Sequence, residues 1–191
     1  MPVTKTVHPR SRAAWRSWLA RNHATSTGVW LVSFKKSTGK QRLSYEDSVE
    51  ESLCFGWIDS LAKPFDGERS MQLFTPRKPK GNWSATNKRR VAALIAAGLM
   101  TERGMAAIEV AKRNGAWTAG DDAENLIVPA DLRRALAAAK ASRNFGAFSP
   151  SSRRAILFWI GSAKRSETRA KRIAETARLA AKNRRAFFDK E

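Results

Sequence analysis

The chain has 191 residues, 42% of them hydrophobic, with seven Trp and nine Phe, so it is long and apolar enough to bury a core and not a disordered polypeptide. Its 36 Lys and Arg against 17 Asp and Glu give a formal charge of +19, an excess that attracts polyanions. One cysteine excludes an internal disulfide, and His8, His23 and Cys54 do not share a zinc-ligand spacing, so neither a metal nor a cofactor is expected.

The opening MPVTKTVHPRSRAAW has no apolar stretch of the secretory kind, and no run approaches the roughly 18 apolar residues of a spanning helix. A cytoplasmic protein without membrane insertion is the expectation. Residues 11 to 22 place Trp15, Trp18 and Leu19 on one helical face. Residues 28 to 36, GVWLVSFKK, form a β-branched and aromatic run between Gly28 and a turn-like STGK, which reads as a strand. Ser44 and Asp47 resemble a capping box, and Glu46, Asp47, Glu50 and Glu51 suit the positive end of a helix dipole. Along that helix Tyr45, Val49, Leu53 and Trp57 recur as a stripe, and Gly56 is the expected C-terminal cap.

An Asp66-Gly67 turn between residues 58–62 and 70–75 predicts a hairpin, whose first arm Pro64 assigns to a sheet edge. Beyond residue 84 the expected helices are 84–99, 101–114, 129–142, 149–161 and 167 to about 185, with residues 116–125 as the best linker candidate. The fold class is therefore α+β. A small antiparallel sheet with packed helices occupies the N-terminal part (residues 1–120), followed by a mostly helical C-terminal part (residues 121–191), the two expected to pack as one globular unit.

The string YEDSVEESLCFGWIDS, then FTPRKPKGNWSATNKRRVAALIAAGLMTERG, AKRNGAW and finally AKRSETRAKRIAE together resemble the bacterial YdeI/OmpD-associated family, also called bacteriocin-protection proteins. The resemblance runs from about Trp15 to Asn183 and implies a bacterial cytosolic setting and a stress- or resistance-related role. It implies no particular reaction.

Every third of the chain is positive, but two stretches are denser. Residues 76–90, PRKPKGNWSATNKRR, carry Arg77, Lys78, Lys80, Lys88, Arg89 and Arg90 and no acid. A helix start there, preceded by cations and with the Asn87 amide at hand, is a reasonable anion site. Trp83 reads either as a base-stacking ring or as a hydrophobic staple. The second stretch, residues 163–185, exposes Arg169, Lys171 and Arg172 on a helix with a thin apolar face, open to phosphates or simply to solvent.

Within CFGWIDS, Cys54 has no nearby histidine to activate it and reads as structural. Asp59 has two readings: an ion pair with Arg69 or Arg77, or a general acid/base in a polar pocket. Two functions follow. One is a protein binding nucleic acid or another polyanion through loop 76–90 and the last helix, with a protein partner left open. The other is a small enzyme whose Asp59 acts on a phosphorylated or nucleotide-like substrate held by Arg77 and Asn87.

Overall fold

A computed structural model describes residues 3–189. Those residues separate into two compact units, one built from the chain up to Gly81 together with Thr86–Trp117, the other from Asn82–Ala85 together with the chain from Thr118 on.

The first unit holds a four-stranded sheet of order β1-β2-β4-β3, with β1 Thr6–Val7, β2 Val29–Phe34, β3 Trp57–Pro64 and β4 Arg69–Pro76. β1 runs parallel to β2, and the other pairings are antiparallel. No sequence signal marks β1, since two residues are too few to show a strand's alternation. β3 is an edge strand, where the missing N–H of Pro64 is harmless. The hairpin turn is closed by Asp66, whose Oδ1 accepts the backbone N–H groups of Glu68 and Arg69 at 3.0 and 2.7 Å. Pairing between β3 and β4 shifts by one residue between Asp59, opposite Phe74, and Ala62, opposite Gln72, so that β3 carries one extra residue.

Two helices cover the face of the sheet that bears Val29, Leu31 and Phe74. In α1 (Arg12–Asn22) the Ser11 hydroxyl caps the N-terminus by accepting the Ala14 N–H, and the apolar stripe buries Trp15 and Leu19. The Trp15 ring meets Phe74 at 5.5 Å, and its indole N–H donates to the Ser48 carbonyl at 3.0 Å. Fully burying such a side chain stabilises the fold by about 2 to 3 kcal/mol. In α2 (Tyr45–Cys54) Ser44 caps as expected, accepting the Asp47 N–H at 3.0 Å, with Glu46 and Asp47 in the first turn. The chain leaves α2 through Gly56 in the left-handed region (φ +72°), where a side chain would be strained.

α3 (Ala85–Ala96) and α4 (Glu102–Arg113) follow the sheet. α4 approaches the end of α2 closely enough that the Thr101 hydroxyl, its N-cap, donates to the Cys54 carbonyl at 2.6 Å. A Cβ on Gly104 would stand 2.2 Å from the same oxygen, so glycine is the residue this approach requires.

The second unit is helical: α5 Asp121–Glu124, α6 Ala130–Ala138, α7 Ser142–Ala147, α8 Pro150–Gly161 and α9 Ser166–Ala181. Its core gathers Leu132, Leu136, Phe145, Ile156, Ile160 and Ala180. The expected helix 129–142 is split into α6 and α7, because Lys140 adopts a left-handed conformation (φ +51°) and the Ala141 N–H turns back to the Leu136 carbonyl. Nothing in the run AAAKAS marks that break, which normally favours glycine. The segment read as a linker contains α5, whose Ala123 belongs to the core. α9 stops at Ala181 rather than near Arg185, with Asn183 left-handed just beyond it.

Candidate functional site

Asp59 is the third residue of β3, two positions after the strand turns off the end of α2. Opposite Phe74 in the ladder, it lies on the sheet face that α2 covers. Tyr45, the first residue of α2, donates its phenolic proton to Asp59 Oδ2 at 2.8 Å. The periodicity places Tyr45 on the apolar stripe of the helix, yet at the helix start it is 46% exposed. Burial and the interaction with Asp59 push its phenol up to about 12, and the charge of Arg90 opposes that shift.

The ion pair between Asp59 and Arg69 does not form. Arg69 is held by Asp66 in the hairpin turn, at 2.6 Å, an i,i+3 contact that needs no chain closure beyond the turn. Arg77 follows directly on β4, its backbone N–H bonded to the Gly56 carbonyl at 2.9 Å. Burial lowers its guanidinium to about 10, still charged at neutral pH, and the negative charge of Asp59 counters the loss. On α3, Arg90 lies 6.0 Å from the centre of the Tyr45 ring and donates to Asn87 Oδ1 at 3.1 Å. A carboxylate, a phenol, two guanidinium groups and an amide thus converge on one region of the first unit. Such a set can hold an anion against the cations and take or return a proton at Asp59. No sequence period relates Tyr45 to Asp59, because the two lie on different elements, a helix and a strand.

The remaining predicted anion-site residues are scattered in character. Lys78 and Lys80 are exposed, and Arg89 is exposed with a hydrogen bond to Thr86 Oγ1 at 3.2 Å. The Lys88 ammonium lies over the Trp117 ring at 5.4 Å. Trp83 is 2% exposed, so its ring offers no open face for a base to stack on, and burial of a large aromatic is its role.

In the second unit, α9 turns part of its expected phosphate-binding face inward. Arg169 forms a two-point ion pair with Asp131, at 2.8 and 3.0 Å, which holds that carboxyl below its ordinary range. Arg172 donates to the Trp159 carbonyl and to Ser162 Oγ and lies 5.0 Å from the centre of the Trp159 ring. Lys171 stays exposed. Hydrophobic periodicity could not reveal these partners, since Asp131 is 38 residues from Arg169.

Cys54 is buried, and its burial together with the charge of Glu51 pushes its thiol up, away from the reactive thiolate. The unexpected charge near it is Glu51 itself, 2% exposed and bound by Arg12 Nε at 2.6 Å and Arg16 Nη1 at 2.7 Å. Arg12 also reaches Asp47 and Glu50, each at 2.9 Å. This group ties α1 to α2. Among the described residues no three His, Cys, Asp or Glu side chains are gathered as a metal site would need, and no helix is long and apolar enough to cross a membrane.

Residues 7–107, more than half of the chain, match a family model described as "Domain of unknown function (DUF8412)". Residues 125–183 match a second, described as "Bacteriocin-protection, YdeI or OmpD-Associated". That match covers the helices α6 to α9. No curated protein and no solved structure matches the chain.

Proposed function

The chain belongs to the DUF8412 family and carries a YdeI/OmpD-associated C-terminal region, and from that premise we propose that it is a cytoplasmic bacterial protein of the bacteriocin-protection and stress-tolerance type, binding nucleic acid or another polyanion. The observation that carries the reading is the segment 76–90, which has six cations and no acid and leaves Lys78, Lys80 and Arg89 in solvent. The half-buried and still charged Arg77 adds to it. Trp83 has no part in this reading, and Arg169 and Arg172 contribute less than free cations would, because each is already engaged. Lys171 is the residue of α9 best suited to a phosphate.

The test is binding of fluorescein-labelled single-stranded DNA and RNA across a salt series. Each phosphate contact steepens the logarithmic salt slope by about 0.7 for a single strand. The triple variant Lys78→Glu/Lys80→Glu/Arg89→Glu is expected to flatten that slope by about two or three contacts' worth. Absence of any binding at low salt would remove the proposal.

A second reading rests on the Tyr45–Asp59 hydrogen bond with Arg77 beside it. In it Asp59 is the acid/base for a phosphorylated or nucleotide-like substrate whose phosphate meets Arg77 and the Asn87 amide. Its support is geometric: a carboxylate oriented by a phenol and flanked by cations is a workable proton acceptor beside a bound anion. Phosphatase and nucleotidase assays on the wild type and on Asp59→Asn decide it, and equal turnover by the two proteins refutes it.

A further inference from the structure

A cleft of about 330 Å³ opens in the first unit between the α2-facing side of the sheet and the segment that joins β2 to α2. Its lining contains three cations, Lys35, Lys36 and Arg42, and no carboxylate. Their charges are not neutralised from elsewhere. The Lys35 ammonium donates only to the backbone carbonyls of Asp66 and Gly67, at 3.3 and 2.8 Å, and Lys36 and Arg42 form no ion pair among the described residues. In the same loop Lys40, by contrast, is matched by Glu68 at 2.7 Å. The lack of a carboxylate is therefore particular to the cleft and not general to the loop.

The floor is built for more than water. Ser33 and Ser70 face each other across the β2–β4 pairing with Leu31 and Gln72 beside them, and Ala62 of β3 lies next to Gln72. The Ser33 hydroxyl is spent on the Leu43 carbonyl at 3.1 Å and Gln72 Nε2 on the Ser60 carbonyl at 3.1 Å, whereas the Ser70 hydroxyl has no protein partner among the described residues. A mixed floor, with Leu31 and Ala62 as its apolar part and one available hydroxyl, under a rim of uncompensated cations, matches an amphipathic anion. At about 330 Å³ the cleft lies at the small end of the range for small-molecule sites, roughly 300 to 1,000 Å³.

We propose that this cleft is a binding site for a small organic anion, a carboxylate or phosphate ester on a compact apolar group, with Arg42 and Lys36 holding the charge, Ser70 donating to it, and Leu31 and Ala62 receiving the apolar end. A polymer does not suit it, since the concavity takes one end group, and the exposed cations of segment 76–90 are no part of its lining. The site is independent of the polyanion reading and stands or falls on other residues.

Calorimetric titration with phenyl phosphate tests it, with benzyl alcohol as the uncharged counterpart. The wild type is expected to show saturable one-to-one binding of phenyl phosphate and at least tenfold weaker binding of benzyl alcohol. Lys36→Glu/Arg42→Glu should weaken phenyl phosphate binding at least tenfold, and Ala62→Leu, which fills the floor from an exposed position, should do the same. Circular dichroism confirms that both variants fold. Lack of saturable binding to the wild type overturns the proposal, as does unchanged affinity in either variant or equal binding of benzyl alcohol. The triple variant in segment 76–90 is expected to bind phenyl phosphate like the wild type, and a tenfold loss there would overturn the assignment to this cleft.

Discussion

The phenol of Tyr45 and the carboxylate of Asp59 are joined by a 2.8 Å hydrogen bond that ties the first turn of a helix to the edge strand of the sheet. Tyr45 is the chain's one tyrosine, so its ionisation can be followed by tyrosinate absorbance without overlap. The midpoint should lie near 12 in the wild type and fall toward the ordinary value of about 10 in Asp59→Asn. Because the folded value is the higher one, the stabilising contribution is complete below about 10, the unfolded value, and fades as pH rises through about 12. A midpoint near 10 in the wild type would refute the hydrogen bond.

Glu51 makes the α1–α2 contact asymmetric in its sensitivity. Arg12→Met with Arg16→Met strands a buried carboxylate and should cost about 3 to 5 kcal/mol in urea unfolding. Glu51→Gln should cost less, about 1 to 2 kcal/mol, since both arginine side chains are about a third exposed and water can take over part of their solvation. Equal losses would mean that burial of Glu51 is not the dominant factor.

Gly104 sits inside a helix, where alanine is ordinarily better by about 1 kcal/mol. Its Cβ would stand 2.2 Å from the Cys54 carbonyl oxygen, a backbone atom that cannot rotate away. Overpacking of that kind costs about 1 to 3 kcal/mol or more and wins over propensity. Gly104→Ala should therefore lower the urea midpoint, and a rise would show that α4 can move off α2.

The Arg169–Asp131 pair predicts an acid-side effect. The folded pKa of Asp131 is lowered, so the stabilisation is present above the ordinary carboxylate range and is lost as pH falls through the folded value. Asp131→Asn should remove this pH dependence at a cost of at most about 1 kcal/mol at neutral pH, because both side chains are about a third exposed. It should also release Arg169, so that if α9 contacts phosphates the salt slope of nucleic-acid binding steepens by about 0.7.

Helix caps and the hairpin were legible in the sequence because each is written within a few residues: Ser44 before an acidic turn, Gly56 after an apolar end, Asp66-Gly67 between two β-rich arms. What joins distant residues was not. Tyr45 with Asp59, Glu51 with Arg12 and Arg16, and Arg169 with Asp131 are chosen by the fold, and charge counting alone leaves Arg169 as a candidate ligand of a polyanion. The split at Lys140 was hidden for a different reason: an alanine-rich run has high helix propensity on both sides of the break, and the left-handed residue is not a glycine.

The extra residue in β3 has a mechanical meaning. Residues 57–59 take their alignment from the end of α2, residues 62–64 from the hairpin turn, and residues 60 and 61 together face Leu73. The two ends of the strand are thereby uncoupled, so distortion of the turn need not be transmitted to Asp59. A bulge moved toward the turn would put Leu61, now 65% exposed, where Ala62 stands and swing Lys63 off the Trp30 ring onto the opposite face. Deleting Leu61 outright would leave both alignments as they are. In this strand, residue count rather than residue identity decides which side chain meets the cleft and which meets water.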